Sequence, residues 1–277
     1  MRPESGDKSV QIHSHDVAVA LHRVDVAHGD TVMFHSSLSS MGHVVGGPNT
    51  VIEGFLEAVG DEGTVCAPTL WYYDADPPLD LSLWDRDSSP SYPGIITETF
   101  RQRPDSLRSD NPTHSVSAIG PRAAELTATH GQSGLRPCRF GDSAFAADSP
   151  WEKLYLWNAA YCFIGVDFTV NTMGHYIECR FMERALAHAP AALRDELEDE
   201  LIRWQKPGVY ASYSFQKMGE RLTDMDLVRF DRIGSATLRC IRTRDMVDTT
   251  LAILDSEPQQ WFRDDFLQWL SRAQSSQ

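Results

Sequence analysis

Nowhere do the 277 residues hold an apolar run of the roughly 18 to 20 needed to cross a bilayer as a helix, which excludes a helical membrane protein. Cysteine is sparse. The five present, Cys66, Cys138, Cys162, Cys179 and Cys240, are odd in number and lack CxxC spacing, which excludes a disulfide framework and a zinc ribbon. No metal is expected from the histidines either, since none has ligand-type spacing. Positive charge is short: 25 Lys plus Arg stand against 39 Asp plus Glu, a formal net charge of -14. Such a field repels phosphate backbones and excludes a general nucleic-acid binder. It suits a cationic small molecule, or serves only to keep the protein dispersed. Residues 1–11 are polar with charges of both signs, so no leader peptide is read there and a reducing, cytoplasmic compartment is expected. Internal repeats and low-complexity tracts are also missing.

What is present is enough apolar residue, 42%, for one large core. Apolar positions recur at helical spacing over 16–28 and again over 48–59, and each stretch is followed by a glycine turn and a short β-type run, at 31–34 and 64–68. The run at 160–166 is continuously apolar, as in a strand covered on both faces. Helices are further expected to start at 92–100 and to span 171–188 (capped by Asn171 or Thr172), 193–204 and 244–254 (capped by Thr243). Together these give an α/β fold with a layered, mostly parallel central sheet, flanking helices and a small substrate-side insertion. Residues 1–14 and 271–277 read as flexible ends of a single domain over 15–270. Within it, 71–93 and 189–235 read as substrate-side segments, the first because it is long, Pro- and Asp-rich and aperiodic.

Three clusters carry candidate chemistry. At 35–47, a strand end with four serines in five residues leads to Gly46-Gly47 before a helix, an arrangement that aims backbone N–H groups at an anion such as pyrophosphate. At 108–115, Arg108, Ser109, Thr113, His114 and Ser115 combine a guanidinium, hydroxyls and an imidazole on a turn entering a strand; anion binding and an ordinary structural turn both fit. His175 and Glu178 stand three apart on one helical face, so the carboxylate reaches the imidazole. A general base needs this arrangement, and a surface ion pair produces it too. Cys179 lies one turn from His175 but has no activating context.

Taken together, HSSLSSMG with VVGG at 35–47, RSDNPTHS at 108–115 and NTMGH followed by Glu178 resemble, in order and spacing, the aminoglycoside 3-N-acetyltransferases. The resemblance spans most of residues 30–254. It implies the antibiotic N-acetyltransferase fold and direct transfer of an acetyl group from acetyl-CoA, as co-substrate, to an amine. Carried over position by position, it implies a coenzyme groove of His35, Ser36, Ser37, Val45, Gly46, Gly47, Arg108, Ser109, Thr113, His114 and Ser115. His175 matches the catalytic histidine and Glu178 the acid three residues later, which also faces the acceptor amine. Relatives place acids just ahead of the position of Phe215, where this chain has Tyr213 and Ser214, so acceptor contacts are expected from Tyr213 and from Asp74, Asp76 and Asp80 in the long loop. Gly174 stands where a bulkier aliphatic commonly precedes the histidine. The expected partner is a small-molecule amine, with an acyl carrier protein and a dimer left open. Two alternatives accompany this reading: a biosynthetic acyltransferase using another acyl-CoA or carrier-protein thioester, and a non-catalytic CoA- or drug-binding module.

Overall fold

The computed structural model describes residues 6–71 and 80–275. In chain order the elements are β1 (Gln11–Ile12), α1 (Ser14–Arg23), β2 (Thr31–Ser36), α2 (Leu38–Met41), β3 (His43–Val44), α3 (Pro48–Val59), β4 (Thr64–Pro68), α4 (Ile95–Arg101), β5 (Leu107–Arg108), β6 (Val116–Ile119), α5 (Ala123–Thr127), α6 (Pro150–Leu156), β7 (Ala160–Ile164), α7 (Thr172–His188), α8 (Arg194–Glu200), α9 (Phe215–Asp224), β8 (Arg229–Ile233), β9 (Ala236–Arg242), α10 (Thr243–Ser256), α11 (Pro258–Trp261) and α12 (Asp264–Ala273).

Strand β7 shows how the layers arise. Its side chains alternate, so Ala160, Cys162 and Ile164 join one apolar cluster while Tyr161 and Phe163 join another on the opposite face. The first cluster is closed by the buried faces of α1 and α3, through Val17, Leu21, Ile52 and Phe55. The second is closed by α6, α7, α10 and α12, which contribute the large buried side chains of Trp151, Tyr176, Phe266 and Trp269.

The sheet runs β5-β6-β4-β2-β7-β9-β8. Helices cover both its faces as expected, but the sheet is mixed rather than mostly parallel. Only the centre is parallel, β2 with β4 and β2 with β7, and the remaining pairs are antiparallel. One of these antiparallel pairs follows from connection length: β8 and β9 are joined by a tight turn at Gly234-Ser235, which permits only a hairpin.

Other expectations need adjustment. Residues 6–13 are not loose: β1 pairs with β3, and the Gly6 N–H donates to the Ser39 carbonyl at 2.8 Å. At the other end α12 runs to Ala273, into the expected tail, because Phe266, Trp269, Leu270 and Ala273 form a buried stripe. Thr243 is not a cap; it lies inside α10, where its hydroxyl donates to the Leu154 carbonyl. The segment 189–235, where no helix was expected beyond 204, contains a helix, α9, capped by Ser214, whose Oγ accepts from the Lys217 N–H.

Candidate active site

A cavity of about 1090 Å³ opens at the carboxyl ends of β2, β4 and β7, where ligands of layered α/β sheets are held. Strand β2 delivers His35 and Ser36 to its floor, and the turn into α2 adds Ser37 and Ser39. One wall is the start of α4 with Tyr92 to Thr97, and the opposite wall comprises Val166, Thr169, Val170 and the start of α7. Thr113, His114, Arg139, Phe140 and Phe215 close it. Gly165, at φ +65°, lets the chain turn sharply off β7 against α2; a side chain there would strike the Ser40 hydroxyl.

His175 lies on the first turns of α7 with its side chain 24% exposed to this cavity. Its Nδ1 lies 2.7 Å from Oε2 of Glu178, which is 3% exposed. A carboxylate can only accept, so Nδ1 carries the hydrogen and Nε2 keeps its lone pair. The ring is held edge-on to Phe140 (4.7 Å between centroids) and Phe215 (4.9 Å). Gly174 makes the second contact possible, because a Cβ there would come within 2.6 Å of the Phe215 ring. The glycine that departs from the family pattern thus admits an aromatic side chain that packs against the catalytic candidate.

Three further histidines line the cavity, His35, His43 and His114. Burial pushes the His35 imidazole down to about 3, and its Nε2 meets the Tyr161 hydroxyl at 2.8 Å. That hydroxyl also accepts from the Met173 N–H at 3.2 Å. His114 is also held well below the usual range, by burial first and then by the neighbouring His175 and His130.

Of the residues expected to hold coenzyme, His35, Ser36, Ser37, Thr113 and His114 line the cavity together with His175. Val45, Gly46 and Gly47 do not reach it; Val44 does, and Gly47 occupies the cap position of α3 beside it. Ser109 and Ser115 are interior: Ser109 Oγ bonds His130 and the Val116 N–H, and Ser115 Oγ donates to the Thr69 carbonyl. Arg108 is interior as well. It donates to Ser115 Oγ and to the carbonyls of Arg86, Ser89 and Thr69, and it stacks on Trp84. Asp80 caps an exposed turn by accepting from the Ser82 N–H. Asp74 and Asp76 lie outside the described residues. Tyr213 is buried behind Phe215, 5.0 Å between ring centroids.

The family model described as aminoglycoside 3-N-acetyltransferase matches residues 33–255. The chain belongs to this family. It is therefore an acyltransferase of the N-acetyltransferase class. Aminoglycoside N(3)-acetyltransferase VII of Streptomyces paromomycinus is 27% identical over 83% of the chain and 86% of that protein. The aminoglycoside N(3')-acetyltransferase-like protein YokD of Bacillus subtilis is 29% identical over 79% of the chain and 84% of that protein. Among solved structures, AAC-IIIb in binary complex with CoASH superposes with a TM-score of 0.68 at 19% identity, over 90% of this chain and 98% of that one, a likeness of fold.

Sequence reading missed several cavity residues of this acetyltransferase. Lys8 was assigned to a loose end, yet the β1–β3 pairing brings it to the rim. Arg139 and Phe140 sat in a stretch with no periodicity; the Arg139 guanidinium lies 5.3 Å from the Phe140 ring centroid. Among the described lining residues Lys8 and Arg139 are the cations, and no carboxylate lines the cavity. All five cysteines are buried, and burial pushes the Cys66 and Cys179 thiols well up, away from thiolate chemistry.

Proposed function

We propose that this acetyltransferase moves the acetyl group of acetyl-CoA directly onto an amino group of an aminoglycoside-like molecule, with His175 as general base. One observation carries the reading: the buried Glu178 fixes the His175 tautomer, leaving a basic Nε2 at the wall of a cavity large enough for a thioester arm and an acceptor. Glu178 then stabilises the imidazolium that forms when the amine proton arrives.

The cavity fits the coenzyme chemically. Lys8 and Arg139 have no carboxylate partner among the described residues and suit its phosphates. The buried Ser36 Oγ and Asn171 Oδ1 lack partners among the described residues and suit its amides. The complex of AAC-IIIb with CoASH supports the same assignment. The buried, hard-to-ionise thiols favour direct transfer over an acyl-cysteine. The relatives lend no support to the biosynthetic or the non-catalytic alternative.

The lining of cations and aromatic rings without a described carboxylate favours a second reading of the acceptor alone, an amine of low positive charge. Single-turnover rates with acetyl-CoA against aminoglycosides and simple monoamines decide between the two. In either case His175→Gln should lose roughly 10² to 10⁴ in rate while acetyl-CoA affinity holds. A His175→Gln enzyme as fast as wild type on its best amine would end the proposal.

A further inference from the structure

His114 is another imidazole of the same cavity, and its surroundings differ in kind from those of His175. Its backbone is clamped: the Asn111 side-chain carbonyl accepts from the N–H groups of Thr113 (3.1 Å) and His114 (2.8 Å), and the Trp151 indole donates to the His114 carbonyl at 3.0 Å. Its ring is wedged between Phe140 and Phe145, each 4.6 Å away, and stands edge-on to His175 at 6.0 Å.

Among the described residues no carboxylate touches it, unlike His175. Its Nδ1 is buried without a hydrogen-bond partner among the described residues. An orphaned acceptor is tolerated inside a protein more readily than an orphaned N–H, so the ring hydrogen belongs on Nε2. Burial and the adjacent imidazoles His175 and His130 keep the ring neutral. A clamped, neutral imidazole with one free N–H beside a base has the properties of a hydrogen-bond electrophile, not of a second base.

We propose that His114 is a catalytic residue whose Nε2–H donates to the thioester carbonyl oxygen and stabilises the oxyanion formed during acetyl transfer. The proposal rests on the reading of the cavity as the site of transfer. The amine lone pair forms the C–N bond as the carbonyl π pair moves onto oxygen, opposite the His114 N–H, and His175 Nε2 takes the proton from nitrogen. When the C=O re-forms, the C–S bond breaks and the sulfur of coenzyme A takes that proton from His175 to leave as the thiol. His114 gives up no proton at any point, so its neutrality costs nothing in the cycle.

The test needs no knowledge of the acceptor. Acetyl-CoA labelled at the carbonyl carbon is bound to wild type, His114→Phe and His114→Gln, and isotope-edited infrared difference spectra are recorded alongside calorimetric titrations. Polarisation by His114 should move the bound carbonyl band to lower wavenumber in wild type. The shift should vanish in His114→Phe and return in part in His114→Gln, which restores an N–H donor, with affinity changed by no more than about threefold. With a competent amine, His114→Phe should lose roughly 10² to 10³ in kcat, the scale of one oxyanion donor.

A merely structural His114 predicts the reverse order, because phenylalanine fills the aromatic slot at least as well as glutamine. An unchanged carbonyl shift in His114→Phe overturns the proposal. Should His114→Phe fail to fold, histidine-nitrogen NMR of the wild-type protein decides: an Nε2–H tautomer whose proton responds to acetyl-CoA but not to coenzyme A supports it, and an Nδ1–H tautomer or a silent ring refutes it. Wild-type protein that binds no acetyl-CoA by calorimetry would instead remove the reading of the cavity itself.

Discussion

Replacing Arg108 by alanine should cost stability and spare the coenzyme. In sequence this arginine stands among hydroxyls and an imidazole and reads as an anion ligand, but the fold commits every arm of it elsewhere. Nε donates to Ser115 Oγ at 3.2 Å, Nη1 to the carbonyls of Ser89 (2.5 Å) and Arg86 (3.1 Å), and Nη2 to that of Thr69. Thr69 O would still accept from Ser115 Oγ in the variant, so the carbonyls left without a donor are those of Arg86 and Ser89. At about 1 to 3 kcal/mol for the buried Ser89 carbonyl, about 1 for the half-buried Arg86 carbonyl and about 1 to 2 for the lost stacking on Trp84, the gross cost is about 3 to 6 kcal/mol. Relief from holding a desolvated cation offsets part of it, since burial, reinforced by Arg101, pushes this guanidinium down to about 9. The net is about 3 kcal/mol, and for a domain of this size that lowers Tm by about 6 to 12 °C. Arg108→Lys should recover little, because one ammonium cannot replace a planar fork. Thermal melts paired with calorimetric titration of acetyl-CoA check this. An Arg108→Ala protein with unchanged Tm and coenzyme affinity down tenfold or more would refute the argument and return Arg108 to the coenzyme.

Substituting Gly174 by leucine should displace Phe215 from the His175 ring, costing about 1 to 3 kcal/mol from overpacking, and should alter KM for the amine more than for acetyl-CoA; steady-state kinetics with each substrate varied separates the two. Acid should unfold the protein early through its buried histidines. His130, pushed by burial from 6.5 to about 4, binds fewer protons folded than unfolded, so its contribution is intact above about pH 6.5 and is lost as pH falls toward 4. The loss is roughly 3 kcal/mol at pH 4. Equilibrium denaturant titrations from pH 7 to about 4 should show that decline in wild type and a flatter curve in His130→Gln.

The parts of the fold legible in sequence were those with a strong period. Helices α1, α3 and α7 and strands β2, β4 and β7 lie close to where spacing put them because their burial is one-sided or complete. Strand direction was not legible: β9 runs antiparallel to both β7 and β8, and only the β8 pairing has a local cause, the two-residue turn between them. At the site, the His175–Glu178 pair was legible because both residues sit on one helix, where spacing is geometry. Arg108 was misleading because what satisfies it, the carbonyls of Thr69, Arg86 and Ser89, comes from distant chain and carries no side-chain signature. Lys8, Arg139 and Phe215 reach the cavity only through tertiary packing, which local pattern does not encode.

The burial of all five thiols has a practical side. A colour-forming thiol reagent added to the folded enzyme meets no protein sulfur it can reach quickly, so any prompt signal in the presence of acetyl-CoA comes from released coenzyme A. When the native state opens, five sulfurs become available at once. The same reagent therefore times turnover while the enzyme is closed and counts open molecules when it is not, and the two signals differ in kinetics: one grows with substrate, the other saturates at a fixed stoichiometry per chain.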